Sequence, residues 1–113
     1  MNRLLTFISF YVLCIINPCT GKEIDEEPLL RLGLIGLDTS HVIAFTSRLN
    51  EPDSPNHVPG ARVIAAFKGG SDDIESSRTR VEGYTKTLVE EYGVKIYDDI
   101  SALCKDVDAI LLT

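Results

Sequence analysis

Two short stretches hold residue types and spacings capable of chemistry. The first is GLDTSH, residues 36–41, which follows the apolar run LRLGLI. Set against the pattern GxGxxG, whose glycines let a strand-to-helix turn cradle a pyrophosphate, it keeps the first glycine, Gly36, and replaces the second and third with Asp38 and His41. A side chain at Asp38 narrows the approach, and its carboxylate would repel a phosphate set against it. The same carboxylate can instead cap a helix start. The backbone N–H groups of Thr39, Ser40 and His41 remain at a helix N-terminus, and two hydroxyls stand beside them to donate to an anion. Read plainly, these residues are a well-capped turn; read for function, they are an altered phosphate site. Spacing alone leaves both open.

The second stretch is FKGGSDD, residues 67–73, at the end of the next apolar run. Dinucleotide-binding sheets place an acid there to hold the ribose 2′-hydroxyl. Here Lys68 stands at that point, followed by Gly69, Gly70 and Ser71. A cation and a flexible loop suit a 2′-phosphate better than a diol, which tilts the cofactor toward NADP over NAD. An ordinary solvated lysine is the competing explanation, and Asp72 or Asp73 is close enough to act as a displaced ribose ligand.

Other chemistry finds little support. His41 falls in the first helical turn and His57 in the loop EPDSPNHVPG, without partners at metal-ligand spacing, so no metal site is expected. No Cys or Ser is arranged with a His for nucleophilic work, and no catalytic residue is assigned. Cys14 and Cys19 precede the domain, which leaves Cys104, in ISALCKDV, as an expected small buried hydrophobe. A formal net charge of −6 without Lys/Arg clusters argues against a nucleic-acid partner.

The elements that must position these residues follow from periodicity. LRLGLIGL, ARVIAAFK, VKIYDD and VDAILLT read as short strands of a parallel sheet, the first two buried. Three helices are expected between them. The first, within TSHVIAFTSRLN, has an apolar stripe of Val42, Ile43, Phe45 and Leu49 and a cap at Thr39 or Ser40. The second, RTRVEGYTKTLVEEYG, is capped by Ser76 or Ser77 and stops at Gly93. The third, ISALCKDV, is capped by Asp98 or Asp99. The order βαβαβαβ predicts an α/β fold with a doubly wound parallel sheet. Such a sheet should continue past the last strand, so the sequence reads as the front part of a longer protein, incomplete at its C-terminus.

Ahead of the domain, residues 1–21 have a basic Arg3, an apolar run of about 13 residues from Leu4 to Ile16, and a small-residue ending, the pattern of a cleaved secretory signal. That run is shorter than the roughly 20 residues that span a bilayer, so no permanent span is expected after cleavage. Residues 22–30 read as an acidic linker, and the domain runs over residues 31–113. The expected location is periplasmic or extracellular.

Taken in register, GLIGLDTSH, VPGARVIAAFKGGSDDIESSR, VEGYTKTL, EYGVKIYDDI and VDAILLT resemble the N-terminal domain of the Gfo/Idh/MocA oxidoreductases, in an exported bacterial branch where GLDTSH replaces the glycine-rich turn. The resemblance implies a Rossmann domain binding NAD or NADP, with Gly36 to His41 at the pyrophosphate, Lys68 to Ser71 near the adenosine ribose, and Thr113 beside the nicotinamide-side ribose. It implies a sugar- or polyol-like substrate held by a second domain, through which the protein could form a homo-oligomer. The family's catalytic Lys and His lie beyond the fourth strand, outside this sequence, so the chain alone should be catalytically inert. Two alternatives stand beside it: a non-catalytic Rossmann-like domain that binds a sugar or nucleotide, and a glycosidase-like enzyme that uses tightly held NAD. Export favours the non-catalytic domain, since free NADP is scarce outside the cytoplasm and a single Arg3 is not the twin-arginine signal of a prefolded, cofactor-loaded protein.

Overall fold

The computed structural model describes residues 28–113. The expected export signal over residues 1–21, and residues 22–27 of the expected linker over 22–30, lie outside the described residues. Four strands and three helices alternate along the chain: β1 (Leu30–Ile35), α1 (His41–Asn50), β2 (Ala61–Phe67), α2 (Glu75–Tyr92), β3 (Lys95–Tyr97), α3 (Ile100–Asp106) and β4 (Ala109–Leu112). The strands form one sheet in the order β3-β2-β1-β4, and every pairing is parallel. This is a Rossmann-like, doubly wound α/β sheet. Right-handed crossovers put α1 and α2 on one face and α3 on the other. The packing agrees, with α1 against β2 and α2, and α3 against β1, β2 and β3.

Alternation along β1 explains the two faces. Leu32 and Leu34 join Leu37, Val42, Val63, Ala66, Val81, Leu88 and Val94 in the main core, between the sheet and the α1–α2 layer. Gly33 faces the other way, and a Cβ there would meet Ile110 Cδ1 at 3.0 Å, Leu103 Cδ1 at 3.1 Å and Val107 Cγ2 at 3.3 Å. The short α3 buries Leu103 fully, and it can sit this close because Gly33 and Ala65 offer no bulk beneath it. A register shift between Leu32 and Gly33 makes Ile64 an extra residue on β2, which keeps Val63 and Ala66 on the main-core face. Asn50, at the end of α1, clamps that irregularity: its Nδ2 donates to the Val63 carbonyl and its Oδ1 accepts from the Val63 N–H, both at 2.8 Å.

The helices depart from the sequence expectations in ways that have physical causes. In α1 the buried pair is Val42 and Thr46, one turn apart, while Ile43 and Leu49 are half-buried and Phe45 is 38% exposed. Thr46 is tolerated in the core because its hydroxyl donates to the Val42 carbonyl at 2.6 Å. Phe45 lies off that stripe, stacks on His41 with ring centroids 5.8 Å apart, and lines an apolar groove with Leu32, Leu49, Val58 and Leu111.

Helix α2 begins at Glu75, before the expected start, so Ser77 lies inside its first turn and is not a cap; Ile74 stands at the cap position without a side-chain bond. Its end is as expected: Gly93 adopts the left-handed conformation and Val94 N–H returns to the Leu88 carbonyl at 3.0 Å. In α3, Asp99 accepts from the Ala102 N–H at 2.9 Å and is the cap. Cys104 is exposed, contrary to expectation, because a helix this short turns only Leu103 fully inward. No helix among the described residues is long and apolar enough to cross a membrane.

Candidate functional site

The strand order reverses direction between β1 and β4, and open α/β sheets bind ligands at the carboxyl ends of the strands beside such a switch point. Gly36 follows β1 there and Thr113 follows β4. Gly36 has φ of +91°, and a Cβ on it would lie 2.5 Å from the Thr113 carbonyl oxygen. The glycine is therefore required both by its backbone conformation and by the approach of β4. Thr113 closes the junction, its N–H donating to the Ile35 carbonyl at 3.0 Å and its hydroxyl to the Gly36 carbonyl.

The loop after β2 packs onto the same turn. Gly36 N–H donates to the Phe67 carbonyl at 3.2 Å and Leu37 N–H to the Lys68 carbonyl at 2.8 Å. A Cβ on Gly69 would sit 3.2 Å from Gly36 Cα, so the two backbones touch. At Gly70, φ is +92° and a Cβ would meet Val81 Cγ2 at 2.9 Å and Ser77 Oγ at 3.2 Å. The loop thus lies flat on the start of α2, and backbone lines the space above it.

That space is a cleft of about 540 Å³. Its wall is Lys68, Gly69, Gly70, Ser71 and Asp72 on one side and Ser77, Arg78, Val81 and Glu82 of α2 on the other, with Phe67 at the strand end. Ser77, Arg78 and Glu82 escape a reading of the sequence that starts α2 at residue 78 and treats Ser77 as its cap. The signal that could have revealed them is the helical spacing of Ser77, Arg78, Val81 and Glu82, which puts them on neighbouring turns facing one loop.

Asp38 neither caps α1 nor faces outward. Its Oδ2 accepts from Ser77 Oγ at 3.2 Å, and Ser77 Oγ accepts from Ser71 N–H at 3.1 Å. The carboxylate thus links the turn after β1 to the loop after β2 and the first turn of α2. At the start of α1, Ser40 holds the cap position without a side-chain cap bond, and the N–H groups of Thr39, Ser40 and His41 have no backbone hydrogen bond among the described residues. Thr39 Oγ1 is buried and has no partner among the described residues. A buried hydroxyl beside free helix-start N–H groups is what an anionic ligand would satisfy.

Gly36, Asp38, Thr39, Ser40, Lys68, Gly69, Gly70, Ser71 and Thr113 therefore meet around one junction at the carboxyl ends of β1, β2 and β4. His41 opens α1 but is exposed and occupied by its stack on Phe45. His57 has a structural role, with Nδ1 2.9 Å from the Arg48 carbonyl that also accepts from Val58 N–H at 2.8 Å. Among the described residues no His, Cys, Asp and Glu side chains gather into a metal-binding group. Compared with protein-family models, curated proteins and solved structures, the chain has no match.

Proposed function

We propose that the chain is the nucleotide-binding part of a nicotinamide-dependent oxidoreductase of the Gfo/Idh/MocA type, transferring hydride to or from a hydroxyl of a sugar- or polyol-like substrate, in an exported protein. The observation that carries the reading is the junction at the switch point. There a glycine with no room for a Cβ, free helix-start N–H groups and the orphaned Thr39 hydroxyl lie together. Those groups suit a pyrophosphate: the N–H groups and the Thr39 and Ser40 hydroxyls donate, and the N-terminal end of α1 favours negative charge.

The adenosine end fits the cleft between Lys68–Asp72 and Ser77–Glu82, where Gly69 and Gly70 let the backbone approach. The cofactor is NAD or NADP. Lys68 and Arg78 would suit NADP, but Asp72 and Glu82 in the same wall balance the two cations, so the charge of the wall alone selects neither. Thr113 holds the carbonyl of Gly36 and so sets the edge of the junction on the nicotinamide side. A bound nicotinamide supplies the hydride chemistry, and the chain's own residues bind, orient and keep water from it.

The reading is tested by isolating the full-length protein from its native compartment and identifying any released small molecule by mass spectrometry. Recovered NAD or NADP supports it. The Asp38 carboxylate, in place of the second glycine, favours one competing reading, a non-catalytic domain for another ligand. A blank, with no thermal stabilisation by added NAD or NADP, would overturn the dinucleotide reading and count heavily for that one. Lys68→Ala is expected to weaken NADP more than NAD, and equal effects would remove Lys68 from the site.

A further inference from the structure

Two departures from the usual dinucleotide site have one explanation in the structure. The tip of β2 offers Lys68 where an acid should hold the ribose, and the turn after β1 offers the acid Asp38 where a glycine should stand. We infer that Asp38 is the ribose-holding residue: from the first turn, bonded to Ser77 at the edge of the second loop's cleft, it accepts hydrogen bonds from the adenosine-ribose hydroxyls, selecting NAD over NADP. The inference rests on the dinucleotide reading above.

The hydrogen-bond directions fix what the carboxylate has left to offer. Ser77 Oγ accepts from Ser71 N–H, so its single proton goes to Asp38 Oδ2. Ser77 lines the cleft, and the half-buried Asp38 is the hydrogen-bond partner of its hydroxyl. One oxygen of the carboxylate is thereby anchored, and Oδ1 has no hydrogen-bond partner among the described residues. A carboxylate has about four acceptor positions, and hydroxyl donors are the complement of those that remain.

Charge points the same way. Lys68 and Arg78 in the cleft wall are matched by Asp72 and Glu82, so the lining is formally neutral and Asp38, bonded to Ser77 of that lining, makes the site negative. A ribose diol is favoured in that surrounding and a 2′-phosphate is opposed. Gly70 completes the geometry, because a side chain there would strike Val81 Cγ2 at 2.9 Å and crowd Ser77 Oγ, the hydroxyl bonded to Asp38, at 3.2 Å.

The test is calorimetric titration of the full chain with NAD, NADP and an NAD analogue lacking the adenosine 2′-hydroxyl. Wild type, Asp38→Asn and Ser77→Ala are compared, each checked for fold by circular dichroism. Wild type is expected to bind NAD more tightly than NADP or the deoxy analogue. Asp38→Asn should weaken NAD about 10- to 100-fold, the range of one hydrogen bond to a charged group, and weaken the analogue less. Ser77→Ala keeps the carboxylate but frees it, and should narrow the NAD-to-analogue ratio in the same direction, which serves if the Asn variant fails to fold. Equal losses for NAD and the analogue, or a wild-type ratio in Ser77→Ala, overturn the role of Asp38 and leave dinucleotide binding standing. Failure of wild type to bind either NAD or NADP overturns the dinucleotide reading, and this inference falls with it.

Discussion

Replacing Gly36 with alanine tests whether the three strand ends are held as a unit. The residue has φ of +91°, where an L side chain costs about 1–3 kcal/mol. The new Cβ would lie 2.5 Å from the Thr113 carbonyl oxygen, and Cβ contacts under 3.0 Å essentially never occur, so the gap must open by at least 0.5 Å (3.0 minus 2.5). The obstructing atom is backbone and cannot rotate aside, so the end of β4 must move. That motion strains the Thr113 N–H bond to Ile35 and the Thr113 hydroxyl bond to Gly36, together about 1–3 kcal/mol. The combined destabilisation is about 2–6 kcal/mol, a large fraction of the 5–15 kcal/mol typical of folded domains. In urea unfolding followed by circular dichroism, with a mid-range slope of about 2 kcal/mol per molar, the midpoint should fall by roughly 1–3 M. Gly83→Ala is the control: it lies within α2, where an added Cβ would meet nothing within 4 Å, and should gain about 0.5–1 kcal/mol. A Gly36→Ala midpoint within about 0.3 M of wild type would show that the strand ends are not locked together, since it would place the loss well below the strain and contact costs.

Three further outcomes are expected. Asn50→Ala strips both hydrogen bonds from Val63 at the β2 irregularity and should cost about 1–3 kcal/mol, read as a lower urea midpoint, and Asn50→Asp, which keeps the acceptor but sets a carboxylate oxygen against the Val63 carbonyl, should cost at least as much. Asp99→Ala removes the cap of α3 and should lower stability by about 0.5–2 kcal/mol in the same assay. Asp108 is held below its ordinary value of 3.8 first by the Arg31 side-chain bond and then by the Arg31 N–H. A depressed folded-state value means its contribution is present above the unfolded value and lost as pH falls through the folded one. The melting-temperature gap between wild type and Asp108→Asn should therefore be constant from neutral pH down to the ordinary carboxylate range and close below it; a gap unchanged at still lower pH would show that the pair does not titrate as a unit.

The fold was legible because each element announces itself locally. Short apolar runs bounded by turn residues, such as ARVIAAF between Gly60 and Gly69, read as buried strands, Gly93 stops a helix, and Asp99 stands three residues before the N–H it caps. What was not legible depends on partners distant in sequence. Ser77 reads as a cap until Asp38, 39 residues away, is seen to engage it. Phe45 reads as core until the stripe of α1 is found to centre on Val42 and Thr46, a polar residue whose hydroxyl is satisfied within its own helix. Cys104 reads as buried because a seven-residue helix gives too little periodicity to tell its inward side from its outward one. For the site, Gly36, Lys68, Gly69, Gly70 and Ser71 could be found from motif position alone. Arg78 and Glu82 needed the true start of α2, and the joining of two loops through Asp38 needed the sheet order.

The most direct test of dinucleotide binding at the switch point is an amide-resolved NMR titration of the isotopically labelled chain with NAD and with NADP. Binding there should give saturable shifts at Thr39, Ser40 and His41, at Gly69 to Ser71, and at Ser77 and Arg78, with Thr113 responding at the nicotinamide side. Shifts absent at millimolar cofactor, or confined to the loop between α1 and β2, would mean that no dinucleotide sits at this junction.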